Sequence, residues 1–204
     1  MADRLFLSCW LRSAGNSRGF DREKLLRQFS KMLDRFPFSR LARRGPVVRV
    51  YAIEYSEPPQ FEREFPPAAD IAESVRTMIE AARDFLQQDS LCEVEASWDL
   101  WQFDGEWKLY PATVTLMCFG PGFDDATGDQ LRIEFGPDSY FVPDPDIESG
   151  VRMSQSNLRS LVHLVHDLEN TLDLDRRRLW SETGESPAEI IMQAVESSST
   201  PRLD

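Results

Sequence analysis

The segment Gly15-Asn16-Ser17-Arg18-Gly19 has the spacing Gly-x-Ser-x-Gly, in which a serine can act as a nucleophile on a tight turn between a strand and a helix. Here the connection would have to span residues 11–21, which is too long for the strained turn that exposes such a serine. Only one strand is predicted before the segment, whereas that catalytic arrangement builds most of its sheet first. We therefore interpret the segment as a loop that uses Gly and Ser for unusual backbone angles, and we assign no catalytic residue.

The same loop could bind an anion. It approaches the N-terminus of a predicted helix, where free N–H groups and the helix dipole attract negative charge. The side chains that could contact a phosphate or carboxylate there are Arg12, Ser13, Ser17, Arg18 and Arg22. The spacing is not that of a P-loop, and no cofactor is predicted. The alternative is that these arginines are solvated or pair with nearby carboxylates.

A basic stripe on the first predicted helix could contact nucleic-acid phosphates. Its members lie on the face opposite the apolar residues: Lys24, Arg27, Lys31 and Arg35. The stripe lacks the exposed aromatic residues of single-strand binders, so nucleic-acid binding ranks third. A solvated helix face ranks first. Pairing with the acidic region 91–150, within the chain or across a dimer, ranks second.

Histidine and cysteine side chains give no clear metal site or thiol nucleophile. His163 and His166 lie three residues apart but away from the apolar stripe of their helix, and no Cys is close in sequence. Cys9 and Cys118 fall within apolar strands, where free cysteines are usually buried. No metal ligand is therefore predicted.

Aromatic residues cluster at one predicted hairpin, whose turn is Asp104-Gly105. The members of this cluster are Trp98, Trp101, Phe103, Trp107 and Tyr110. Aromatic residues on both faces of one strand suggest a bulge near Leu100. They are also more than burial in a single core would explain. The surplus face is predicted to be an interaction surface, and a strand buried on both sides is the equal alternative.

Charge is unevenly distributed along the chain, whose net charge is −12. Residues 1–50 carry 12 Lys or Arg and 4 Asp or Glu, a balance of +8, and residues 51–204 carry 11 and 31, a balance of −20. The acidic whole disfavours general nucleic-acid binding. No apolar run is long enough to cross a bilayer, and three cysteines do not form a disulfide framework, so we expect a cytoplasmic protein with no membrane partner.

Hydrophobic periodicity predicts the elements that position these residues. Strands are predicted over residues 5–11, 47–55, 93–103, 106–110, 113–119, 131–135 and 139–142. Helices are predicted over 21–36, 68–88 and 157–172, the first capped by Asp21 and the third by Ser156. A short last helix should begin at Ser186-Pro187.

This order of elements indicates an α+β domain with a mixed or mainly antiparallel sheet of about five to seven strands. We expect helices mostly on one face, and a ferredoxin-like core fits the order. Residues 1–196 are predicted to form one domain and 197–204 a flexible tail. The favoured function is a non-enzymatic intracellular binding protein, with an unknown protein partner or self-association. The alternatives are an enzyme or sensor that binds a small anion at loop 12–22, and nucleic-acid binding through the first helix.

Overall fold

The structure is a computed structural model and describes residues 3–12, 20–67, 70–142, 148–182, 190, 191 and 193. The strands are β1 (Arg4–Leu11), β2 (Val47–Ala52), β3 (Phe61–Glu64), β4 (Ser90–Phe103), β5 (Trp107–Phe119), β6 (Leu131–Pro137) and β7 (Leu174–Ser181). The helices are α1 (Arg22–Arg35), α2 (Ile71–Arg83) and α3 (Gly150–Thr171), and a short 3-10 helix covers Asp138–Tyr140. The predicted helix start at Ser186 and the predicted tail 197–204 lie outside the described residues.

All seven strands form one antiparallel sheet in the order β3-β2-β4-β5-β6-β1-β7. Together with the three helices this sheet confirms the predicted α+β class. The first strand lies inside the sheet, between β6 and β7, as its continuous apolar sequence predicts. Within the described residues no helix has the length and apolar character needed to span a bilayer.

The core is built from alternate residues of the strands together with one stripe of each helix. The β4 residues in it are Cys92, Val94, Ala96, Trp98 and Leu100. The helices add buried side chains to the same cluster, among them Phe29 of α1, Met78 of α2 and Leu161 of α3. The strand residues between these core positions form what we call the second face of the sheet. Their side chains point away from this cluster because side chains alternate along a strand.

Local capping explains where two helices begin. The Asp21 side chain accepts a hydrogen bond from the Lys24 backbone N–H at 2.9 Å, so the predicted cap is confirmed. Asp70 caps α2 in the same way through the N–H of Glu73. The prediction for the third helix was wrong at its start. It begins at Gly150, after a left-handed Ser149, rather than near residue 157.

The strand predictions failed where a signal was short or interrupted. β3 and β7 were not predicted, and the segment predicted as strand 139–142 contains the 3-10 helix instead. The two strands predicted over 106–110 and 113–119 are one strand, β5, that continues through Pro111. Because β6 pairs with β5 only from Thr115 to Cys118, Pro111 faces an edge that β6 does not pair with. The missing N–H of this proline therefore removes no hydrogen bond between strands. The bulge near Leu100 is absent, since β4 and β5 pair without a register shift.

Candidate functional site

The β4–β5 hairpin extends beyond the strands on either side of it. β2 pairs with β4 only over Ser90–Glu95, and β6 pairs with β5 only over Thr115–Cys118. Among the described strands, the distal part of the hairpin, from about residue 96 to residue 114, therefore pairs only with itself. The turn at its end holds Gly105 at a φ of 72°, a conformation that glycine adopts without the strain a side chain would cause.

One side of this distal hairpin is apolar. Trp101 pairs directly with Leu109, and Phe103 pairs with Trp107, so these four side chains share one face and we call them the hairpin surface. Phe103 is 46% exposed and Leu109 is 40% exposed, while the two tryptophans are half-buried. Large apolar side chains exposed side by side are typical of contact surfaces rather than of solvated strands.

The hairpin surface is held in place by contacts to the segment that starts α3. The Trp107 indole N–H donates to the backbone carbonyl of Glu148 at 2.8 Å. Its ring centroid lies 5.4 Å from that of Phe103. The side chain of Asn157 contacts the backbone of Trp101 on the free edge of β4. The exposed aromatic groups are thus presented on a fixed scaffold.

Two residues of the predicted aromatic cluster lie elsewhere. Trp98 is only 4% exposed and packs near the rings of Phe36, Phe135 and Phe141, so it is a core residue and not part of a surface. Tyr110 is 44% exposed but alternation places it on the opposite side of the hairpin from Phe103. The sequence pattern missed Leu109, which completes the surface because it stands directly across from Trp101.

Only the ends of the predicted anion loop are described. Ser13, Ser17 and Arg18 lie outside the described residues. Arg12 approaches Asp173 at 3.8 Å and donates to the Leu174 carbonyl, and Arg22 lies 3.7 Å from Glu23. Both arginines thus have a carboxylate of their own chain nearby.

The basic stripe of α1 is partly used within the chain. The Lys24 ammonium donates to the Arg12 carbonyl at 2.8 Å, and Lys31 donates to the Thr171 carbonyl at 3.3 Å. Arg27 and Arg35 are exposed and form no ion pair with another described residue. Only about half of the stripe therefore remains available to an external phosphate.

The thiol and imidazole groups occupy opposite environments. Cys9, Cys92 and Cys118 are all buried free thiols, and Cys92 faces Cys118 directly across β4 and β5. Burial raises the pKa of Cys9 and of Cys92 to about 12 and raises the pKa of Cys118 well above its usual value. His163 and His166 are exposed on α3. Among the described residues no three His, Cys, Asp or Glu side chains are placed to hold a metal ion.

The second face of the sheet carries polar networks that the sequence interpretation missed. Arg49 contacts Glu62, Glu93 and Glu95 at 2.6 to 3.0 Å. The Tyr55 hydroxyl lies 3.1 Å from Glu93, and burial with the adjacent carboxylate raises the pKa of Tyr55. These charges are largely compensated by their own chain.

One part of the second face differs from this pattern. It lies at β7, where Arg176, Arg178 and Trp180 alternate with residues of the opposite face. No sequence signal marked these three residues, because three consecutive arginines show no alternation until the strand itself is known.

No protein-family model, curated protein or solved structure matches this chain.

Proposed function

We propose that this chain is a non-enzymatic interaction protein and that the hairpin surface (Trp101, Phe103, Trp107 and Leu109) is its contact. The observation that carries the proposal is the exposure of Phe103 and Leu109 on one face of a rigid hairpin that extends beyond its neighbouring strands. A water-exposed apolar patch on a fixed scaffold gains free energy when another surface covers it.

The occupant that we propose for this surface is a second copy of the chain. Two chains of net charge −12 repel each other, so a stable contact must keep most of their acidic surface apart. A projecting hairpin does so. Residues 101–110 include only Asp104, Glu106 and Lys108 as charged groups, and Glu106 and Lys108 form an ion pair. The small area predicts weak, concentration-dependent association.

Contact through side chains is favoured over extension of the sheet. The outer edge of the distal part of β5 contains Pro111, which cannot donate to a new strand. The corresponding edge of β4 is occupied by backbone contacts from Ser39 and by the side chain of Asn157. A partner would therefore pack on the hairpin surface rather than add a strand beside it.

The environments of the reactive side chains support binding over catalysis. A buried thiol with a raised pKa is mostly protonated at neutral pH and is a poor nucleophile. Free thiols also support the cytoplasmic location expected from the sequence.

The shared core of sheet and helices supports placing the helices mostly on one face, and a ferredoxin-like core stays a prediction.

Sedimentation velocity of the full chain over a range of concentrations tests the proposal. We expect a monomer–dimer equilibrium whose dissociation constant rises at least about tenfold when Leu109→Ser removes apolar contact from the surface. Ile53→Ser is the matched control, because Ile53 is 59% exposed and lies at the other end of β4, where its backbone N–H donates to the Asp89 carbonyl. A chain that stays monomeric at all concentrations, or a dimer that Leu109→Ser leaves intact, would contradict the proposal.

A further inference from the structure

The second face of the sheet contains an open cleft at the β1–β7 end. Its volume is about 490 Å³, within the range of roughly 300 to 1,000 Å³ that small-molecule sites occupy. Its lining includes two tryptophans and two arginines of β1 and β7 together with two residues of the loop before β6. These residues are Trp10, Arg176, Arg178, Trp180, Ala126 and Thr127.

Strand register explains why these side chains meet. β1 and β7 pair so that Trp10 lies opposite Arg176, and Phe6 lies opposite Trp180. Directly paired residues share a face, so all four side chains lie on the same side of the sheet. Arg178 stands between the two pairs, opposite Ser8.

The aromatic side chains of the cleft are already positioned. The Arg176 guanidinium carbon lies 4.0 Å from the centroid of the Trp10 ring. The Trp180 ring stacks on Phe6 with centroids 4.5 Å apart, and its indole N–H donates to the buried Ser8 hydroxyl at 3.0 Å. Each indole thus has one ring face in contact with a neighbouring side chain, Arg176 for Trp10 and Phe6 for Trp180.

The loop that contributes Ala126 and Thr127 to the lining is also fixed by hydrogen bonds. Arg132 contacts Asp125 and Asp129, and Asp125 in turn accepts the backbone N–H groups of Thr127 and Gly128. A hydrogen bond from the Leu11 backbone N–H to the Gln130 side chain ties this loop to β1 beside Trp10. Asp125 and Asp129 are therefore paired with Arg132 rather than with the cleft arginines.

Charge compensation on this face leaves the cleft positive. Of the five arginines that the strands place on the second face, Arg4, Arg49 and Arg132 each contact carboxylates within 3.0 Å. Arg176 and Arg178 have no ion pair with any described residue. Arg177, between them, points to the opposite face and pairs with Glu169 of α3. Two guanidinium groups that form no ion pair within the described part of the chain thus stand beside aromatic rings, in a protein of net charge −12.

We infer that this cleft binds a small organic anion that carries a planar aromatic ring. A guanidinium group matches a phosphate or a carboxylate through two parallel hydrogen bonds, and Arg178 is placed to supply them. An indole offers a planar surface on which an aromatic ring stacks. The preformed walls reduce the entropy that such a ligand would otherwise lose by ordering the site.

The experiment uses the indole N–H signals of the full chain in two-dimensional NMR. The five tryptophans give resolvable signals, and Trp10→Phe and Trp180→Phe assign the two that matter. The probes are adenosine monophosphate and 1-naphthoate, with adenosine and ribose 5-phosphate as matched compounds that lack the charge or the ring. We expect saturable shifts of the Trp10 and Trp180 signals with the two aromatic anions, and weaker binding of the two matched compounds. Saturable binding of either anion, tighter than that of its matched compounds, supports the inference.

Arg178→Met removes the charge but keeps an apolar stem, and it should raise the dissociation constant of the tighter probe at least about tenfold. Arg159→Met, at an exposed position on α3, is the control and should leave affinity unchanged. Because Arg178 is exposed, its replacement should not disturb folding, and the dispersion of the five indole signals checks this. The inference is overturned if neither anion binds, if binding shifts other indoles instead, or if Arg178→Met binds as tightly as the control.

Discussion

Asn157 of α3 and Trp101 of β4 are joined by two hydrogen bonds between one side chain and one backbone unit. The Asn157 amide oxygen accepts the Trp101 N–H at 2.9 Å, and its nitrogen donates to the Trp101 carbonyl at 2.9 Å. The same nitrogen donates to the Tyr140 carbonyl at 2.8 Å. Asn157 thus takes the place of a neighbouring strand on the edge of β4 where β2 no longer pairs.

Asn157→Ala should therefore destabilise the protein strongly. Asn157 is 2% exposed, and its loss leaves three backbone groups without their partner, at a cost of about 2 to 4 kcal/mol. Urea unfolding monitored by circular dichroism measures this change. Asn170→Ala is the control, because the Asn170 side chain is exposed and contacts only its own helix, and it should cost less than about 0.5 kcal/mol. Equal effects of the two variants would contradict the anchoring role of Asn157.

Arg132→Met should be one of the more destabilising changes on the second face. Arg132 is 8% exposed and contacts Asp125 and Asp129, and the Asp129 side chain is fully buried. Removing one partner of a buried pair leaves a charge uncompensated and typically costs about 3 to 5 kcal/mol. The exposed pair of Arg76 and Glu73 on α2 is the comparison, and Arg76→Met should cost far less. Denaturant unfolding of both variants measures the two predicted losses in the free energy of unfolding.

The three buried thiols should make stability fall in alkaline solution. A folded-state pKa of about 12 for Cys92, against an ordinary value of 9.0, means that the unfolded chain releases this proton first. The free energy of unfolding should therefore decrease as pH rises from about 9 towards 12, because deprotonation favours the unfolded state. Cys92→Ala should show a shallower decrease than the wild type in pH-dependent urea unfolding. An identical slope would mean that this thiol titrates normally in the folded protein.

Thiol accessibility gives a separate test of the same burial. At pH 8 a thiolate-selective reagent should label the native protein only as fast as the chain opens, since all three cysteines are buried and free. In urea the reagent should label three thiols per chain at once. Fast labelling of any cysteine in the native protein would contradict its burial, and fewer than three labelled thiols in urea would indicate a disulfide.

Sequence reasoning succeeded where one pattern was long and had a single explanation. The stripe of α1 and its Asp21 cap, and the alternation along β4, led directly to the observed elements. It failed at β7, whose Asp175-Arg176-Arg177-Arg178 segment lacks the apolar alternation of a half-buried strand, because two of its arginines lie on an open face. The prediction divided β5 at Pro111, because a proline is not expected inside a paired strand. The proline is tolerated there because β6 pairs only with the residues that follow it, from Thr115 onward.

The candidate site was predictable only in part. The turn at Gly105 and the aromatic content located the hairpin. Which side chains lie on which face, however, depends on the uninterrupted pairing of β4 with β5 from Leu91 to Phe103. A bulge at Leu100 would have exchanged the faces of Trp101 and Phe103 beyond it, and Trp98 was grouped with them only because it belongs to the same hairpin. The cleft at Trp10 and Arg178 joins residues far apart in sequence, and no local pattern specifies that β1 and β7 are neighbours.

Distance measurement between spin labels tests the hairpin contact most directly. The described cysteines are buried, so Asp104→Cys at the hairpin turn accepts a label selectively. Glu57→Cys is the matched position, in the exposed loop at the other end of β4, roughly 40 Å away along the strand. In concentrated solution we expect a short distance between chains for labels at 104 and a much longer one for labels at 57. A short distance at 57 with none at 104, or no distance between chains at either position, would contradict association through the hairpin surface.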